Sequence, residues 1–251
     1  MLLIKGRRES SLTTLLTPPP YGRRVSLYET HHTVVGHHDT DPVGGKRGGP
    51  WAQQDRHRWP SDTLGGTNKA DNLFGRGGND ILIALAGNDN LLGGPGKDWV
   101  FGGTKRSPLG GDKTLVGGAG NDGVLGGKSS DIVVGGSGND FVSGQTGSDR
   151  VVGQEGDDLV SGGTYPETAR DVISAGDGDD VVFVENRTPA RDIVSCGGGF
   201  DRVGADSKDV VAPDCEKVFV GAAALRFFDR LEASGYFDNL FEEVLAPYPT
   251  G

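Results

Sequence analysis

Between residues 63 and 219, an aliphatic residue recurs about every nine positions along the chain. These aliphatic positions are Leu73, Leu82, Leu91, Val100, Leu115, Val124, Val133, Val142, Val151, Val160, Ile173, Val182, Val194 and Val203. An aspartate stands two positions before each of them, except where Lys113 takes its place. A short, fixed period of this kind predicts that one small structural unit is stacked many times.

Each complete copy follows the pattern G-G-x-G-x-D-x-U-x, where U is the aliphatic residue, as in GGSGNDFVS from Gly135. The first six positions predict a tight turn, because glycine accepts the positive φ that such turns need. The last three predict a short strand whose U side chain points inward while its neighbours point outward. Two repeats make one coil, and stacked coils should form two parallel sheets around the aliphatic row. The pattern therefore predicts an all-β fold, a parallel β-roll or β-solenoid of nonapeptide repeats.

Residues 1–62 lack this periodicity and are rich in Pro, Gly, His, Arg and Thr, which predicts a disordered, low-complexity segment. The segment contains a histidine cluster made of His31, His32, His37 and His38 with Asp39. Imidazoles beside a carboxylate could hold zinc or copper. The spacing matches no zinc motif, so we interpret the cluster as incidental.

Residues 220–251 change from the nine-residue period to helical spacing. The two apolar sets are Leu225, Phe228 and Leu231, and Phe237, Leu240, Phe241 and Val244. Gly235 lies between them and predicts two short helices. We interpret this segment as a helical cap or tail over the open apolar end of the solenoid. An export signal or a partner-binding helix is the alternative.

Acidic residues are concentrated in the repeats. The net charge of the chain is −10, and residues 63–219 alone carry 24 acidic and 14 basic side chains. An acidic repeat region disfavours nucleic acid as a partner and favours cations. No apolar run approaches the length of about 18 residues that a membrane-spanning helix needs, so no membrane span is predicted.

The aspartates at the fixed turn position predict calcium binding. Calcium takes about six to eight oxygen ligands, which carboxylates and backbone carbonyls supply. Equivalent turns of neighbouring coils should lie about 4.8 Å apart, so an ion between two turns could draw oxygens from both. Without a cation the column of carboxylates would repel itself, and folding should therefore depend on calcium.

These repeats resemble the RTX (repeats-in-toxin) family of nonapeptide β-rolls, the hemolysin-type calcium-binding repeat proteins. The copies that carry the resemblance most fully are GGPGKDWVF from Gly93, GGAGNDGVL from Gly117 and GGSGNDFVS from Gly135. The resemblance extends over residues 63–219 and implies several bound Ca²⁺ ions. It also implies a roll that is disordered without calcium and folds after export into a calcium-rich exterior.

Alternate repeats place their turns on opposite edges of the solenoid. The turns of the first edge match the repeat pattern more closely than those of the second. The aspartates of the first edge are Asp80, Asp98, Asp122, Asp140, Asp158, Asp180 and Asp201. Its fourth turn position is always glycine, namely Gly78, Gly96, Gly120, Gly138, Gly156, Gly178 and Gly199. We predict that these aspartates and glycines form a near-continuous calcium column.

The second edge has degenerate turns, and three of them contain insertions. Its positions are Asp71, Asp89, Lys113, Asp131, Asp149, Asp171 and Asp192. We expect only a few calcium sites here, around Asp89, Asp131 and Asp149, with turn-capping hydrogen bonds as the alternative role of these carboxylates. Lys113 places a cation at a ligand position, so no calcium is predicted there unless Asp112 substitutes after a one-residue shift.

The two cysteines, Cys196 and Cys215, are separated by about the length of one coil. They should lie on neighbouring coils at a distance that permits a disulfide. A disulfide would indicate an oxidising compartment, and two free thiols in a reducing cytosol are the alternative.

The repeats together predict a secreted or cell-surface, extracellular calcium-binding protein that is not an enzyme. We expect a monomer with a structural, export-folding or adhesive role and a surface or matrix partner at the inserted loops. The alternative is the C-terminal portion of a secreted hydrolase or toxin whose catalytic domain is missing, since neither HExxH nor GxSxG occurs. No classical signal peptide is visible at the start of the chain.

Overall fold

The computed structural model describes residues 61–103, 110–163, 168–184 and 190–236, together with the backbone of residues 33–35. The histidine cluster and the second apolar set of the C-terminal segment lie outside these residues. The predictions made for them are therefore not addressed by the structure.

The described strands form two parallel nine-stranded sheets, and consecutive strands alternate between them. The first sheet contains β1 (Thr33–Val35), β3 (Asn72–Phe74), β5 (Asn90–Pro95), β7 (Thr114–Ala119), β9 (Ile132–Ser137), β11 (Arg150–Glu155), β13 (Val172–Asp177), β15 (Ile193–Gly198) and β17 (Val210–Val211). The second contains β2 (Thr63–Gly65), β4 (Ile81–Ile83), β6 (Trp99–Phe101), β8 (Gly123–Lys128), β10 (Phe141–Thr146), β12 (Leu159–Gly163), β14 (Val181–Phe183), β16 (Arg202–Ala205) and β18 (Lys217–Val220). The predicted parallel β-solenoid is confirmed.

The aliphatic row lies between the two sheets, as the nine-residue period predicts. Val133, Val151 and Ile173 pair in register across β9, β11 and β13, and all three are at most 1% exposed. The residues just before them alternate outward, so that Ile132 is 44% exposed and Val172 is 38% exposed. Each strand thus adds its aliphatic side chain to a narrow core, and strands near the end of the solenoid add a second buried residue, such as Ala175 of β13.

Turns at the two edges join the sheets. A first-edge turn leads from each strand of the first sheet to the next strand of the second sheet, and a second-edge turn leads back. The breaks in the described residues after 103, 163 and 184 all fall in second-edge turns, where the sequence carries its insertions. The strands that flank these turns keep their register, so the loops do not disturb the stack.

One helix follows the last strand, α1 (Ala222–Ala233), and confirms the predicted C-terminal helix. Its Phe227 stacks on Phe219 of β18, with ring centroids 4.4 Å apart, and also lies against Phe183 of β14. The helix therefore packs on the outer face of the second sheet and not across the end of the solenoid. At that end Val218, which is in register with the buried Val203, is 42% exposed.

The outer face of the second sheet carries a second apolar cluster that the sequence analysis did not predict. It consists of Phe101, Leu125, Phe141, Leu159, Val181 and Phe227. The five strand residues flank the inward aliphatic positions, Phe227 belongs to α1, and all six are at most 8% exposed, in contrast to the open outer face of the first sheet.

A disulfide joins Cys196 of β15 to Cys215, with their Cα atoms 5.2 Å apart, which confirms the predicted pair. It links the last coils of the solenoid. No helix among the described residues is both long and apolar enough to cross a membrane.

Candidate metal sites along the two edges

A ladder of hydrogen bonds connects the first-edge aspartates from coil to coil. The Oδ1 atom of each one accepts a hydrogen bond from the backbone N–H of the aspartate one coil earlier. The donor and acceptor pairs are Asp62 to Asp80, Asp80 to Asp98, Asp98 to Asp122, Asp122 to Asp140, Asp140 to Asp158, Asp158 to Asp180 and Asp180 to Asp201, at 2.7–3.0 Å. One oxygen of each carboxylate therefore forms the hydrogen bond that joins neighbouring turns.

The other oxygen of each first-edge carboxylate is buried and has no hydrogen-bond partner. This holds for Oδ2 of Asp80, Asp98, Asp122, Asp140, Asp158, Asp180 and Asp201. All seven side chains are at most 1% exposed. Buried polar atoms are almost always paired in folded proteins, so a repeated unpaired oxygen points to a missing ligand.

Backbone carbonyls approach the same region of each turn. A Cβ built on Gly117 would lie 2.6 Å from Oδ2 of Asp122 and 2.7 Å from the carbonyl oxygen of Gly135, one coil further along. The turn that begins at Gly135 repeats this convergence with Asp140 and Gly153. Glycine occupies this position in the first five first-edge turns, and the last two carry Ala175 and Cys196 there.

The fourth-position glycines of the first edge also stack on one another. All seven have positive φ, between 112° and 151°. A Cβ on Gly138 would collide with the carbonyl oxygen of Gly120, and the same clash recurs at the other stacked pairs. These glycines therefore present a column of carbonyl oxygens alongside the column of carboxylates.

Burial raises the pKa values of these carboxylates well above their usual range. It raises the pKa of Asp98 and Asp140 to about 7, although the hydrogen bond that each carboxylate accepts from a backbone N–H lowers the pKa. The pKa of Asp122 rises to about 8 and that of Asp158 to about 9, because neighbouring carboxylates of the column add to the effect of burial. With pKa values raised this far, the carboxylates of the column must either stay protonated near neutral pH or bind cations that neutralise their charge.

The second edge has the same ladder of Oδ1 hydrogen bonds, interrupted between Asp89 and Lys113. Oδ2 is buried and unpartnered at Asp89, Asp131 and Asp149, the three positions chosen from the sequence, and also at Asp171. At Asp71, by contrast, Oδ2 accepts hydrogen bonds from the N–H and the hydroxyl of Thr67, at 2.6 and 2.9 Å. The turn-capping role considered for these aspartates thus applies at Asp71.

Sequence reasoning placed Asp171 on the second edge but did not name it as a calcium position, because an insertion interrupts its turn. The register beyond the insertion was the available signal, since Ile173 pairs directly with Val151. It also missed a late, degenerate repeat in which Asp209 accepts hydrogen bonds from the N–H groups of Asp192 and Asp206. Oδ2 of Asp206 is another buried oxygen without a partner.

No group of three or more His, Cys, Asp or Glu side chains within the described ranges converges as a metal cluster. An ion held at either edge would therefore need carbonyl oxygens of the turns as well as the aspartates. Carboxylate and carbonyl oxygens are the donors that hard cations such as calcium prefer, so the residues present fit this metal.

A family model of the RTX calcium-binding nonapeptide repeat matches the chain in four copies, at residues 74–104, 109–142, 134–164 and 167–186. These stretches contain both edges from Asp80 to Asp180. Comparison with the curated proteins and with the solved structures gave no match. The matched repeats of this chain, between residues 74 and 186, are RTX calcium-binding nonapeptide repeats.

Proposed function

We propose that this chain is an extracellular, non-enzymatic calcium-binding repeat protein whose solenoid folds when calcium binds. The observation that carries the proposal is the unpartnered Oδ2 atom that recurs at every first-edge aspartate. A buried carboxylate without a partner is costly, and a row of them in one column adds mutual repulsion. Calcium between the turns removes both costs.

The first edge is the main calcium column in this proposal. Its seven aspartates each supply Oδ2, and the fourth-position glycines supply backbone carbonyls. On the second edge we assign calcium to the turns of Asp89, Asp131 and Asp149, and we add Asp171 because its Oδ2 is equally buried and unpartnered. Asp71 is left out because Thr67 already satisfies its carboxylate.

An extracellular location is supported by two features that agree. The Cys196–Cys215 disulfide is of the kind that persists in oxidising compartments. Calcium-binding modules that work outside cells bind calcium at about 10⁻⁴–10⁻³ M, concentrations that the cytosol does not reach. Export in an unfolded state followed by folding in calcium would make the repeat a structural or adhesive module, with the second-edge insertions as the surface offered to a partner.

The test is a calcium titration of the full-length chain followed by far-ultraviolet circular dichroism. In EDTA we expect little β signal, and calcium should restore it cooperatively while an equal concentration of magnesium does not. Equilibrium dialysis with radioactive calcium should then give several ions per chain. A β signal that is complete in EDTA, together with no bound calcium, would overturn the proposal.

A further inference from the structure

Lys113 occupies an aspartate position in the second-edge ladder. Its backbone N–H donates a 2.9 Å hydrogen bond to Oδ1 of Asp131, and its carbonyl oxygen accepts one from the N–H of Ile132 at 2.8 Å. The side chain is only 3% exposed. The lysine is therefore inside the column and in register with the aspartates on either side of it.

The Lys113 side chain fills the space that a carboxylate fills in other turns. A Cβ built on Gly102 would lie 3.0 Å from Cδ of Lys113 and would collide with the carbonyl oxygen of Gly126. In the turn of Asp122, the corresponding space at Gly117 faces Oδ2 and the carbonyl oxygen of the next coil. At the end of the lysine, Nζ donates a 2.7 Å hydrogen bond to the carbonyl oxygen of Gly111 in its own turn.

Lys113 lies between Asp89 and Asp131 in the column, one coil away from each. Burial raises the pKa of Asp89 to about 6 and that of Asp131 to about 7, and the positive charge of Lys113 opposes the rise at both. Asp122 on the first edge has the opposite surroundings, because Asp140 and Asp98 raise its pKa further. This part of the second edge thus alternates in charge where the first edge does not.

Asp112 does not take over the ligand position by a shift in register. It is exposed, and its Oδ1 accepts a 3.3 Å hydrogen bond from the N–H of Ser130. Thr114 pairs with Ile132 and Leu115 pairs with Val133, so the ladder continues through Lys113 itself. The one-residue shift considered from the sequence is therefore wrong.

We propose that the Lys113 ammonium stands in for one calcium ion, so that this second-edge turn carries its own cation. The inference rests on the proposed calcium function and adds that one step of the column is neutralised without metal. The fixed positive charge is hydrogen-bonded to the carbonyl oxygen of Gly111 and acts electrostatically on Asp89 and Asp131. The turn beside the insertion at residues 104–109 therefore needs no ion of its own when the solenoid folds.

The experiment counts bound calcium in the full-length chain and in three variants by equilibrium dialysis at saturating calcium. Lys113→Asp restores the repeat pattern and should bind at least one more ion than the wild type. Lys113→Met keeps the length of the side chain without its charge, so it should bind no additional ion and should unfold at a lower urea concentration. Lys217→Asp makes the same change in net charge on exposed β18 and should leave the number of ions unchanged.

The outcomes separate this inference from the proposed function. If the wild type binds calcium but Lys113→Asp binds no more, the stand-in role is wrong and the calcium function remains. An unchanged urea midpoint in Lys113→Met would also overturn the stand-in role, because the ammonium would then neutralise nothing. If the wild type binds no calcium, the proposed function itself fails.

Discussion

The backbone N–H of Asp122 donates a 2.8 Å hydrogen bond to Oδ1 of Asp140 in the next coil, while Oδ2 of Asp140 is buried without a partner. The two oxygens of one carboxylate thus have different roles. Oδ1 joins neighbouring coils, and Oδ2 is available to a cation. Because this division recurs along the first edge, each side chain links the folding of a coil to the binding of metal.

Two substitutions at Asp140 should separate these roles. Asp140→Asn keeps an oxygen that can accept the Asp122 N–H but replaces Oδ2 with an amide, so it should bind fewer calcium ions. Asp140→Ala removes both groups and should be less stable than the asparagine variant by about 1 kcal/mol, the usual contribution of one hydrogen bond. Calcium counting and urea unfolding at saturating calcium measure the two effects. Equal stability of the two variants would contradict the ladder, and an unchanged ion number in Asp140→Asn would contradict the metal role.

A comparison of Asp80 with Asp71 tests whether an unpartnered Oδ2 is what marks a calcium ligand. Both lie in the first coils, but Oδ2 of Asp80 is unpartnered, whereas Oδ2 of Asp71 is held by Thr67. Asp80→Asn should therefore lower the number of bound calcium ions, and Asp71→Asn should leave it unchanged. Equilibrium dialysis measures both, and an equal loss in the two variants would argue against the distinction. Asp131 is a poorer reference for the second edge, because its Oδ2 is unpartnered like that of Asp140.

The fold was predictable because each nine-residue repeat contains the residues that determine its own turn and strand. One inward aliphatic residue such as Val133 and one turn glycine such as Gly138 are enough to define a coil, and stacking then follows from the period. The disulfide was predictable for the same reason, since a separation of 19 residues nearly equals one coil. Regular geometry turns spacing along the chain into distance in space.

Contacts that depart from the repeat could not be predicted from it. Thr67 satisfies Asp71 from a position where the repeat pattern has glycine, so the period contains no signal for this contact. Helix α1 was recognised from its spacing, but its place on the outer face depends on contacts such as that of Phe227 with Phe219. The burial of Lys113 was likewise hidden, because a lysine in a turn is usually solvated.

The raised carboxylate pKa values lead to an expected pH dependence of the metal-free protein. An unfolded aspartate has a pKa of about 3.9, whereas burial places Asp80 at about 6 and Asp158 at about 9 in the folded chain. The folded state therefore holds protons that the unfolded state releases, and the stabilisation is complete only below about pH 4. It is lost progressively as the pH rises above about 4, and the contribution of each group is gone above its folded pKa, about 6 for Asp80 and about 9 for Asp158. In EDTA we expect more β structure by circular dichroism at pH 5 than at pH 9.

In the presence of calcium we expect the folded state to become less stable as the pH falls, because protons and calcium compete for the same carboxylate oxygens. The calcium concentration at the midpoint of folding should rise as the pH falls from 8 to about 6. Titrations at several pH values measure the midpoint directly, and Asp122→Asn should weaken the dependence by removing one titrating group whose pKa is about 8. A midpoint that does not change with pH would show that these carboxylates do not hold the ion.

Gly135 tests whether the open space beside each carboxylate is needed. A Cβ there would collide with Oδ2 of Asp140 and would lie 2.9 Å from the carbonyl oxygen of Gly153, so the two coils would have to separate. Gly135→Ala should lower the free energy of unfolding by about 1–3 kcal/mol, as overpacking of a tight interior does, and should weaken calcium binding. Gly65→Ala is the matched control, because no atom lies within 4 Å of its Cβ position. Urea unfolding and calcium titration of both variants decide the question, and equal effects at the two glycines would mean that the space has no role.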